Sequence, residues 1–364
     1  VDGLVIGRYR NASRSPDARL TEAALRHCGL VALGGYGRRE LFPFSDVDLM
    51  LLYRTEAGEA AAALSTSVWH HLWDLGFHVG HSTRTVADCL ELGATDLTIR
   101  TSMMEARFLC GSAELFQEFQ RRLAGRIVKQ RSDWYIQAKL GERQREYEKF
   151  GETVYLLEPN VKRSKGGLRD LHLLQWVALA RHGVGTLNEL LDRGLLSRAD
   201  FTALAEAREF VWRVRCFLHL HAGMAQDILS FDEQVWLADQ QLHYRDRPHL
   251  RGVEQFMQHY YRHTMAIHDL GHRFVERCRR VSPWTRFTRW LPAQRIEGVF
   301  VAEGTRLTVP GDARARLLGD PMVLMQLFET AQARNLKIDP HVLDLIHQRM
   351  DETDAAAFAE PEIN

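Results

Sequence analysis

Short apolar runs that end at turn residues predict strands in the first third of the chain. Residues 30–35 (Leu-Val-Ala-Leu-Gly-Gly) end in a glycine pair, and residues 47–53 open polar and end apolar. Both patterns are typical of strands. Leucine and valine at helical spacing predict a helix over 60–75, and weaker patterns predict strands at 77–82 and 102–109. The first 120 residues therefore indicate an α/β head.

Helical spacing dominates after about residue 125. Long segments with one apolar face predict helices, and these lie at 134–150, 171–182, 198–222, 231–241 and 253–280. Further on, alternating residues punctuated by glycine and proline predict a small β patch over 296–309. Two more helices are predicted after it, at 321–331 and 342–350.

Together these patterns predict an α+β fold, in which a small α/β head with a mixed sheet precedes a large helical domain. The length of 364 residues suits two or three domains. We place the head at 1–125, the helical domain at 126–285, the β patch with its helices at 286–350, and an acidic tail or linker at 351–364.

Charge and composition exclude several classes of protein. The chain has 47 Lys and Arg against 47 Asp and Glu, whereas non-specific nucleic-acid and membrane binders depend on excess positive charge. No run approaches the roughly 18 apolar residues of a spanning helix. Five scattered cysteines without a C-x-x-C pair are typical of a reduced chain. We expect a cytoplasmic protein with no nucleic-acid and no membrane partner.

A glycine turn followed by paired acids is the first motif that carries chemistry, Gly34-Gly35-Tyr-Gly-Arg38 and then Ser45-Asp46-Val-Asp48. On a strand, Asp46 and Asp48 leave the same face, and a divalent cation would neutralise their repulsion. Oxygen ligands favour Mg²⁺ or Mn²⁺, and glycines let the backbone approach a phosphate. Either motif alone is usually a turn or a solvated strand end. Their combination between two predicted strands favours phosphoryl or nucleotidyl transfer.

This order resembles the nucleotidyltransferase superfamily: glycine turn, short helix, then acid-x-acid on the next strand. The resemblance implies a third carboxylate, which aligns the attacking hydroxyl or takes its proton. Asp96 and Glu105 are candidates, and the strand-like flanks of Glu105 favour it. The alternative is that Glu105 pairs with Arg107 or lies on a helix surface.

A cationic glycine loop is the second motif. Between Lys162 and Arg169 the chain has four positive residues and no acid, around Gly166-Gly167, and it then opens a predicted helix. Such a loop suits polyphosphate binding. An ordinary basic surface loop is the alternative.

The two motifs together resemble the family of bacterial PII uridylyltransferase/uridylyl-removing enzymes, and less closely the glutamine synthetase adenylyltransferases. A third match is Arg215-x-x-x-His219 followed by Asp227. The resemblance implies that Asp46 and Asp48 bind the metal and act in catalysis with Glu105. It also implies a nucleotide site, which we place at Gly34, Gly35, Arg38 and Ser45, with an opposite wall at Asn160, Lys162, Gly167, Arg169 and Asp170.

The implied reaction joins UMP from UTP to a tyrosine of the PII signalling protein and releases pyrophosphate. Members of the family continue into a hydrolase domain that removes UMP and into glutamine-sensing domains. The present chain stops before them, so we expect it to transfer UMP without removing it or sensing glutamine. Two alternatives stay open: another nucleotide or acceptor protein, or a non-catalytic nucleotide-binding regulatory module.

One histidine cluster resembles a metal site, at His268-Asp269-Leu-Gly-His272, which has the look of an HD phosphohydrolase core. Metal binding there would need another histidine and aspartate on converging helices. Because the cluster lies within one long helical segment, we predict a structural role for it.

Overall fold

The computed structural model describes residues 1–12, 20, 25–279, 294–296, 299–303, 306–339, 342–343 and 345–346. Its chain forms two compact units, 1–278 and 279–364. The predicted α+β class is confirmed, since helices combine with mixed sheets. Within the described residues, no helix combines the length and the apolar character needed to cross a membrane.

The head is built on a four-stranded sheet. Its strands are β1 (Cys28–Ala32), β2 (Val47–Tyr53), β3 (Val79–Thr85) and β4 (Arg107–Gly111), in the order β3-β2-β1-β4. β1 is antiparallel to β2 and to β4, while β2 and β3 are parallel. The sheet is therefore mixed, as predicted. β1, and β2 after Asp48, are apolar because successive side chains enter separate cores on the two faces of the sheet.

Helices cover both faces of this sheet. They are α1 (Asp2–Ala12), α2 (Gly34–Gly37), α3 (Gly58–Asp74), α4 (Val86–Thr95), α5 (Leu97–Met104) and α6 (Ala113–Leu123). The short helix α2 occupies the glycine turn between β1 and β2. Ala124–Lys129 continues α6 as a π-helical turn.

The strand predicted at 102–109 is wrong in its first half. Asp96 caps a helix there, since its carboxylate accepts a hydrogen bond of 2.8 Å from the backbone N–H of Ile99. That helix is α5, and it buries Thr101 and Met103 before β4 begins at Arg107. Glu105 therefore lies at the C-terminal cap of α5 and not on a strand.

The helical body follows within the same unit. Its helices are α7 (Ser132–Phe150), α8 (Leu168–His182), α9 (Leu187–Asp192), α10 (Arg198–Ala222), α11 (Phe231–Trp236) and α12 (Gly252–Cys278). Leu237–Gln241 extends α11 as a π-helical turn. α8 is central, because most of its residues are buried and it packs against α7, α10 and α12. The predicted long helices are confirmed, and His268 and His272 lie on one helix, α12, as expected.

The second unit contains a small sheet and two described α-helices. The strands β5 (Gln294–Ile296), β6 (Phe300–Glu303), β7 (Arg306–Thr308) and β8 (Lys337–Ile338) pair in that order. The helices are α13 (Arg314–Gly319) and α14 (Pro321–Ala333). The predicted β patch is confirmed, with β8 as an unpredicted fourth strand. The predicted tail at 351–364 and much of the helix at 342–350 lie outside the described residues.

Candidate active site

Asp48 is enclosed by two glycines at the start of β2. A Cβ atom on Gly34 would lie 2.9 Å from Oδ2 of Asp48, and one on Gly80 would lie 2.3 Å from Oδ1. Gly34 also has a φ of +54°, which favours glycine. Gly80 is the β3 partner of Asp48 in the parallel register. Asp46, just before β2, is exposed. Both aspartates are thus accessible at one end of the sheet, in a cradle that only glycine permits.

The electrostatics of Asp48 link the head to the cationic loop. Burial raises the pKa of the Asp48 carboxyl, and the charges of Asp46 and Glu105 raise it further. The positive charges of Arg38 and Lys162 act in the opposite direction. The fold therefore brings these five charged groups, from three separate stretches of sequence, to one place.

The paired aspartates fit a hard divalent cation. Mg²⁺ is commonly held by one or two carboxylates together with substrate phosphates and water. Asp46 and Asp48 supply such an oxygen donor set, and their mutual repulsion is what a cation would relieve. Among the described residues, no group of three or more His, Cys, Asp or Glu side chains is arranged to hold a metal. A site here would therefore depend on nucleotide oxygens to complete the coordination.

The glycine turn is locked against the strands that it joins. The backbone N–H of Leu33 donates to the carbonyl of Asp48 at 2.9 Å. A Cβ on Gly37 would lie 2.2 Å from the carbonyl oxygen of Glu105, so only glycine fits. Gly34, Gly35 and Ser45 are half-buried. They are close to Asp46 and Asp48 in the sequence. The turn is thus held rigidly beside the acids.

Glu105 is fixed by two donors. Its Oε1 accepts hydrogen bonds from Arg38 Nη1 at 2.5 Å and from the indole N–H of Trp176. Arg107 instead pairs with Asp2 at 2.8 Å, so Glu105 does not form the ion pair with Arg107 that the sequence left open. The Glu105 side chain is only 6% exposed. It lies near enough to Asp48 for its charge to affect the pKa of Asp48.

Two of the predicted residues of the opposite wall, Asn160 and Gly167, shape the cationic loop. Asn160 Oδ1 accepts from the backbone N–H groups of Lys162 and Arg163, at 3.1 and 2.8 Å. This is the local turn that asparagine favours. Gly167 has no room for a Cβ, which would lie 2.8 Å from the carbonyl oxygen of Val161. These contacts fold the segment into a tight turn before α8.

Asp170 anchors the same loop from beneath. Its carboxylate is buried and accepts from Arg143 Nε at 2.5 Å, from the Tyr147 hydroxyl at 2.6 Å and from the backbone N–H of Gly166 at 2.6 Å. Arg143 also donates to the carbonyl oxygens of Arg163 and Ser164. The carboxylate is therefore fully engaged in holding the loop.

Lys162 and Arg169 are the two remaining predicted residues of the opposite wall, and both are candidates to bind an anionic ligand. Burial lowers the pKa of Lys162 to about 8, and the charges of Arg215 and Arg169 lower it further. Burial also lowers the pKa of Arg169. Within the part of the chain that the structure describes, Arg169 Nε is buried without an acceptor. A buried guanidinium nitrogen without an acceptor, next to a second cation, suits a polyanionic ligand.

Arg215, His219 and Asp227 connect the loop to the head. Asp227 Oδ1 accepts from Arg215 Nε at 2.7 Å and contacts His219 Nε2 at 3.1 Å. Burial alone would raise the pKa of Asp227, but the hydrogen bonds from His219 and Arg215 outweigh it and hold that pKa well below its usual range. His219 Nδ1 bonds the carbonyl of Pro43, and the backbone of Asp227 bonds Val161. This motif is a brace between the segments before Asp46 and around Lys162.

Sequence reasoning missed three residues: Glu40, His172 and Trp176. Glu40, just after the glycine turn, contacts His172 of α8, and Trp176 of α8 donates to Glu105. The available signal was weak. Arg169, His172 and Trp176 recur at helical spacing, which places them on one face of α8.

Comparison with known proteins finds similarity to one family of enzymes. Residues 135–275 match the family model described as GlnD PII-uridylyltransferase. A bifunctional uridylyltransferase/uridylyl-removing enzyme of Rhodospirillum rubrum is 37% identical over 345 residues, 94% of this chain. The chain is therefore similar to the PII-uridylyltransferases, over 135–275 by the family model and over nearly its whole length by this relative.

Two further members of the family are similar to the chain over nearly its whole length. The enzyme of the same description from Azospirillum brasilense is 35% identical over 92% of the chain, and that from Ruegeria pomeroyi is 38% identical over 96%. The chain covers only 36% of the Rhodospirillum and Azospirillum enzymes and 38% of the Ruegeria enzyme. It therefore spans little more than a third of their length.

Proposed function

We propose that this chain is a Mg²⁺-dependent uridylyltransferase, with Mn²⁺ as a possible substitute, that transfers UMP from UTP to a tyrosine of a PII signalling protein. The names of the family and of its curated relatives support uridylyl transfer and the PII acceptor. The observation that carries the proposal is the brace of His219 and Asp227, which ties the segment just before Asp46, at the carbonyl of Pro43, to the backbone beside Lys162, at Val161. We therefore infer that the acid pair and the cationic loop face one site.

The proposed reaction is a single displacement at the α-phosphorus. The tyrosine oxygen forms a bond to phosphorus, the bond to the bridging oxygen breaks, and pyrophosphate leaves with that electron pair. The hydroxyl proton passes to a base. Asp46 and Asp48 would hold the cation, which would supply charge stabilisation at the phosphate and leaving group. Lys162 and Arg169 would offset the charge of the triphosphate.

Glu105 is our candidate for the carboxylate that orients the acceptor hydroxyl or takes its proton. Arg38 and Trp176 both bind its Oε1. The other oxygen, Oε2, would therefore be the one that meets the hydroxyl. The two donors would hold the carboxylate in one orientation as the acceptor arrives.

A label-transfer assay tests the proposal. UTP labelled at the α-phosphate is incubated with Mg²⁺, the chain and a PII protein, and a panel of ATP, GTP and CTP is run in parallel. We expect label on PII from UTP, release of pyrophosphate, and loss of both in Asp46→Asn. Asp192→Asn, an exposed aspartate on α9, is the matched control and should behave as wild type.

Three results would contradict the proposal in different ways. Transfer from ATP, GTP or CTP instead of UTP would show that the donor nucleotide carries a different nucleobase. Transfer to a PII variant with its tyrosines replaced by phenylalanine would reassign the acceptor group. Nucleotide binding without transfer from any nucleotide would favour a regulatory module.

A further inference from the structure

A buried polar network connects the glycine turn of the head to α8 of the body. Glu40 is 8% exposed and His172 is 3% exposed. Glu40 Oε2 lies 2.7 Å from His172 Nε2 and also accepts from Arg38 Nε at 2.8 Å. A second nitrogen of Arg38 donates to Glu105, which the indole of Trp176 also bonds. Arg38 is thus held between two carboxylates, each of which has a second donor on α8.

His172 serves this network as a neutral donor. Burial, together with the positive charge of Arg38, lowers the pKa of His172 to about 3, so its ring is uncharged at neutral pH. A neutral imidazole has one N–H, and Nε2 must carry it in order to donate to the carboxylate of Glu40. The result is a fixed donor that adds no further positive charge beside Arg38.

The helix α8 holds its two donors rigidly. His172 and Trp176 are four residues apart and therefore share one face of the helix. The Trp176 ring is flanked by two cations, with Lys139 Nζ 4.5 Å and Arg169 Cζ 5.4 Å from its centroid. Most of α8 is buried. Neither ring can change position without disturbing the core of the body.

One edge of the Arg38 guanidinium remains available. Nε and Nη1 are taken by Glu40 and Glu105. The third nitrogen, Nη2, lies beside the glycine turn, 3.7 Å from the position that a Cβ on Gly35 would occupy. A guanidinium bound by one carboxylate can still rotate about that contact, whereas two carboxylates fix its plane.

We propose that His172 and Trp176 are positioning residues for nucleotide binding. Through Glu40 and Glu105 they hold Arg38 so that its Nη2 edge is presented to a phosphate in the glycine turn. This inference rests on the proposed function and extends it to three residues that contact no substrate: Glu40, His172 and Trp176. It makes the body part of the phosphate site of the head, even where the body does not touch the nucleotide.

Two variants at one position give the first test. His172→Phe keeps a ring and removes the donor, whereas His172→Gln restores an N–H at a similar distance. We expect His172→Phe to raise the Kd and KM for UTP and to lower kcat/KM on the order of tenfold to a hundredfold. His172→Gln should recover most of this loss, and the KM for PII should not change.

A stability control separates positioning from folding. Gln255→Met removes a buried amide on α12 whose Nε2 donates to the backbone carbonyls of Arg245 and Leu250. It should lower Tm without changing the Kd for UTP. If His172→Phe does not fold, Trp176→Phe carries the same test, because it keeps an aromatic ring and removes the donor to Glu105.

A double-mutant cycle tests whether His172 acts through Arg38. Arg38→Lys keeps the charge and loses the planar fork. If the proposal holds, adding His172→Phe to Arg38→Lys causes little further loss of UTP affinity. Additive losses would overturn it, as would wild-type UTP affinity in His172→Phe or equal losses in His172→Phe and His172→Gln.

The Kd for UTP is measured without PII, which keeps the two proposals distinguishable. UTP binding that depends on His172, without any label transfer, would contradict the proposed function and retain this inference. Normal label transfer in variants of both His172 and Trp176 would support the proposed function and contradict this inference.

Discussion

At the scale of single residues, Asp48 occupies a place that disfavours its own charge. Burial, Asp46 and Glu105 all raise the pKa of its carboxyl above the usual 3.8. A raised pKa in the folded state means that stability falls as the pH rises from about 4 through the folded-state pKa. The penalty reaches its full size only above the folded-state pKa, where the carboxyl is ionised in both states. The fold therefore bears a cost at Asp48 that packing does not explain but a bound cation would offset.

Asp48→Asn should separate function from stability. We expect transfer to fall by about a hundredfold or more, since charge stabilisation at the phosphate is lost. The Tm at pH 7 without Mg²⁺ should stay equal or rise, because the amide carries no charge. Added Mg²⁺ with UTP should raise the Tm of wild type and not that of the variant. Calorimetry with and without these ligands checks this, and a large loss of Tm without ligands would contradict it.

Lys162 should make nucleotide binding depend on pH. Its pKa of about 8 means that its positive charge is lost as the pH rises through 8. UTP affinity of wild type should therefore weaken between pH 7 and pH 9. Lys162→Arg stays protonated over this range and should flatten the profile, while Lys162→Met should bind about tenfold or more weakly at pH 7.

Titration of UTP binding against pH checks the assignment to Lys162. An unchanged pH slope in Lys162→Arg would place the titrating group elsewhere.

At the scale of elements, the loop before α8 is held by a buried ion pair between α7 and α8. Arg143 and Asp170 are 3% and 4% exposed in their side chains and lie 2.5 Å apart. Arg143 reaches the loop carbonyls, and Asp170 reaches the loop N–H of Gly166. One pair thus joins the second half of α7 to the first turn of α8 and fixes the shape of the cationic loop.

Asp170→Ala should cost stability first. Leaving Arg143 buried without this carboxylate is expected to cost about 3–5 kcal/mol, with Glu146 offsetting part of it. Asp170→Asn keeps an acceptor oxygen and should cost less. Urea unfolding at pH 7 measures both variants. Full stability combined with lost UTP binding would instead identify Asp170 as a direct nucleotide contact, as the family resemblance implied.

Elements with an unambiguous apolar pattern could be predicted from the sequence, and those whose short pattern fits both a helix and a strand could not. The predicted boundaries of β2 and α10 coincide with Val47–Tyr53 and Arg198–Ala222. By contrast, α5 has eight residues, too few turns for a period to be distinguished from a strand. Its decisive feature is the local cap by Asp96.

The candidate site divides in the same way. Gly34, Asp46 and Asp48 stand within one motif, so their chemistry is visible in the sequence. The pair of Glu40 and His172 joins residues 132 positions apart, and neither has a local pattern that reveals the contact. Contacts between residues so far apart in the sequence are therefore visible only in the folded structure.

At the scale of the whole molecule, every predicted site residue lies in the first compact unit. That unit, Val1–Cys278, contains the head and the helical body with their own buried cores. The second unit has a separate core around Phe300, Leu307 and Leu327. Domains with a core of their own can fold alone.

Residues 1–278 should therefore fold and bind nucleotide without the second unit. We expect one cooperative unfolding transition and a Kd for UTP with Mg²⁺ within about threefold of the full chain, since every predicted site residue belongs to the first unit. Calorimetry and UTP titration of the shortened chain measure this. An unfolded product, or a loss of binding with the fold intact, would show that the second unit contributes to the site.

Gly80 gives a way to sort related sequences. It lies more than thirty positions after the acidic motif, yet a Cβ there would meet the carboxylate of Asp48 at 2.3 Å. A chain can therefore retain both aspartates and still be a pseudoenzyme if a larger residue stands opposite the second one. Gly80→Val should produce such a chain, with an intact motif and a displaced carboxylate. If Asp48 holds the cation as proposed, inspection of the partner strand, and not of the motif alone, would distinguish active relatives from inactive ones.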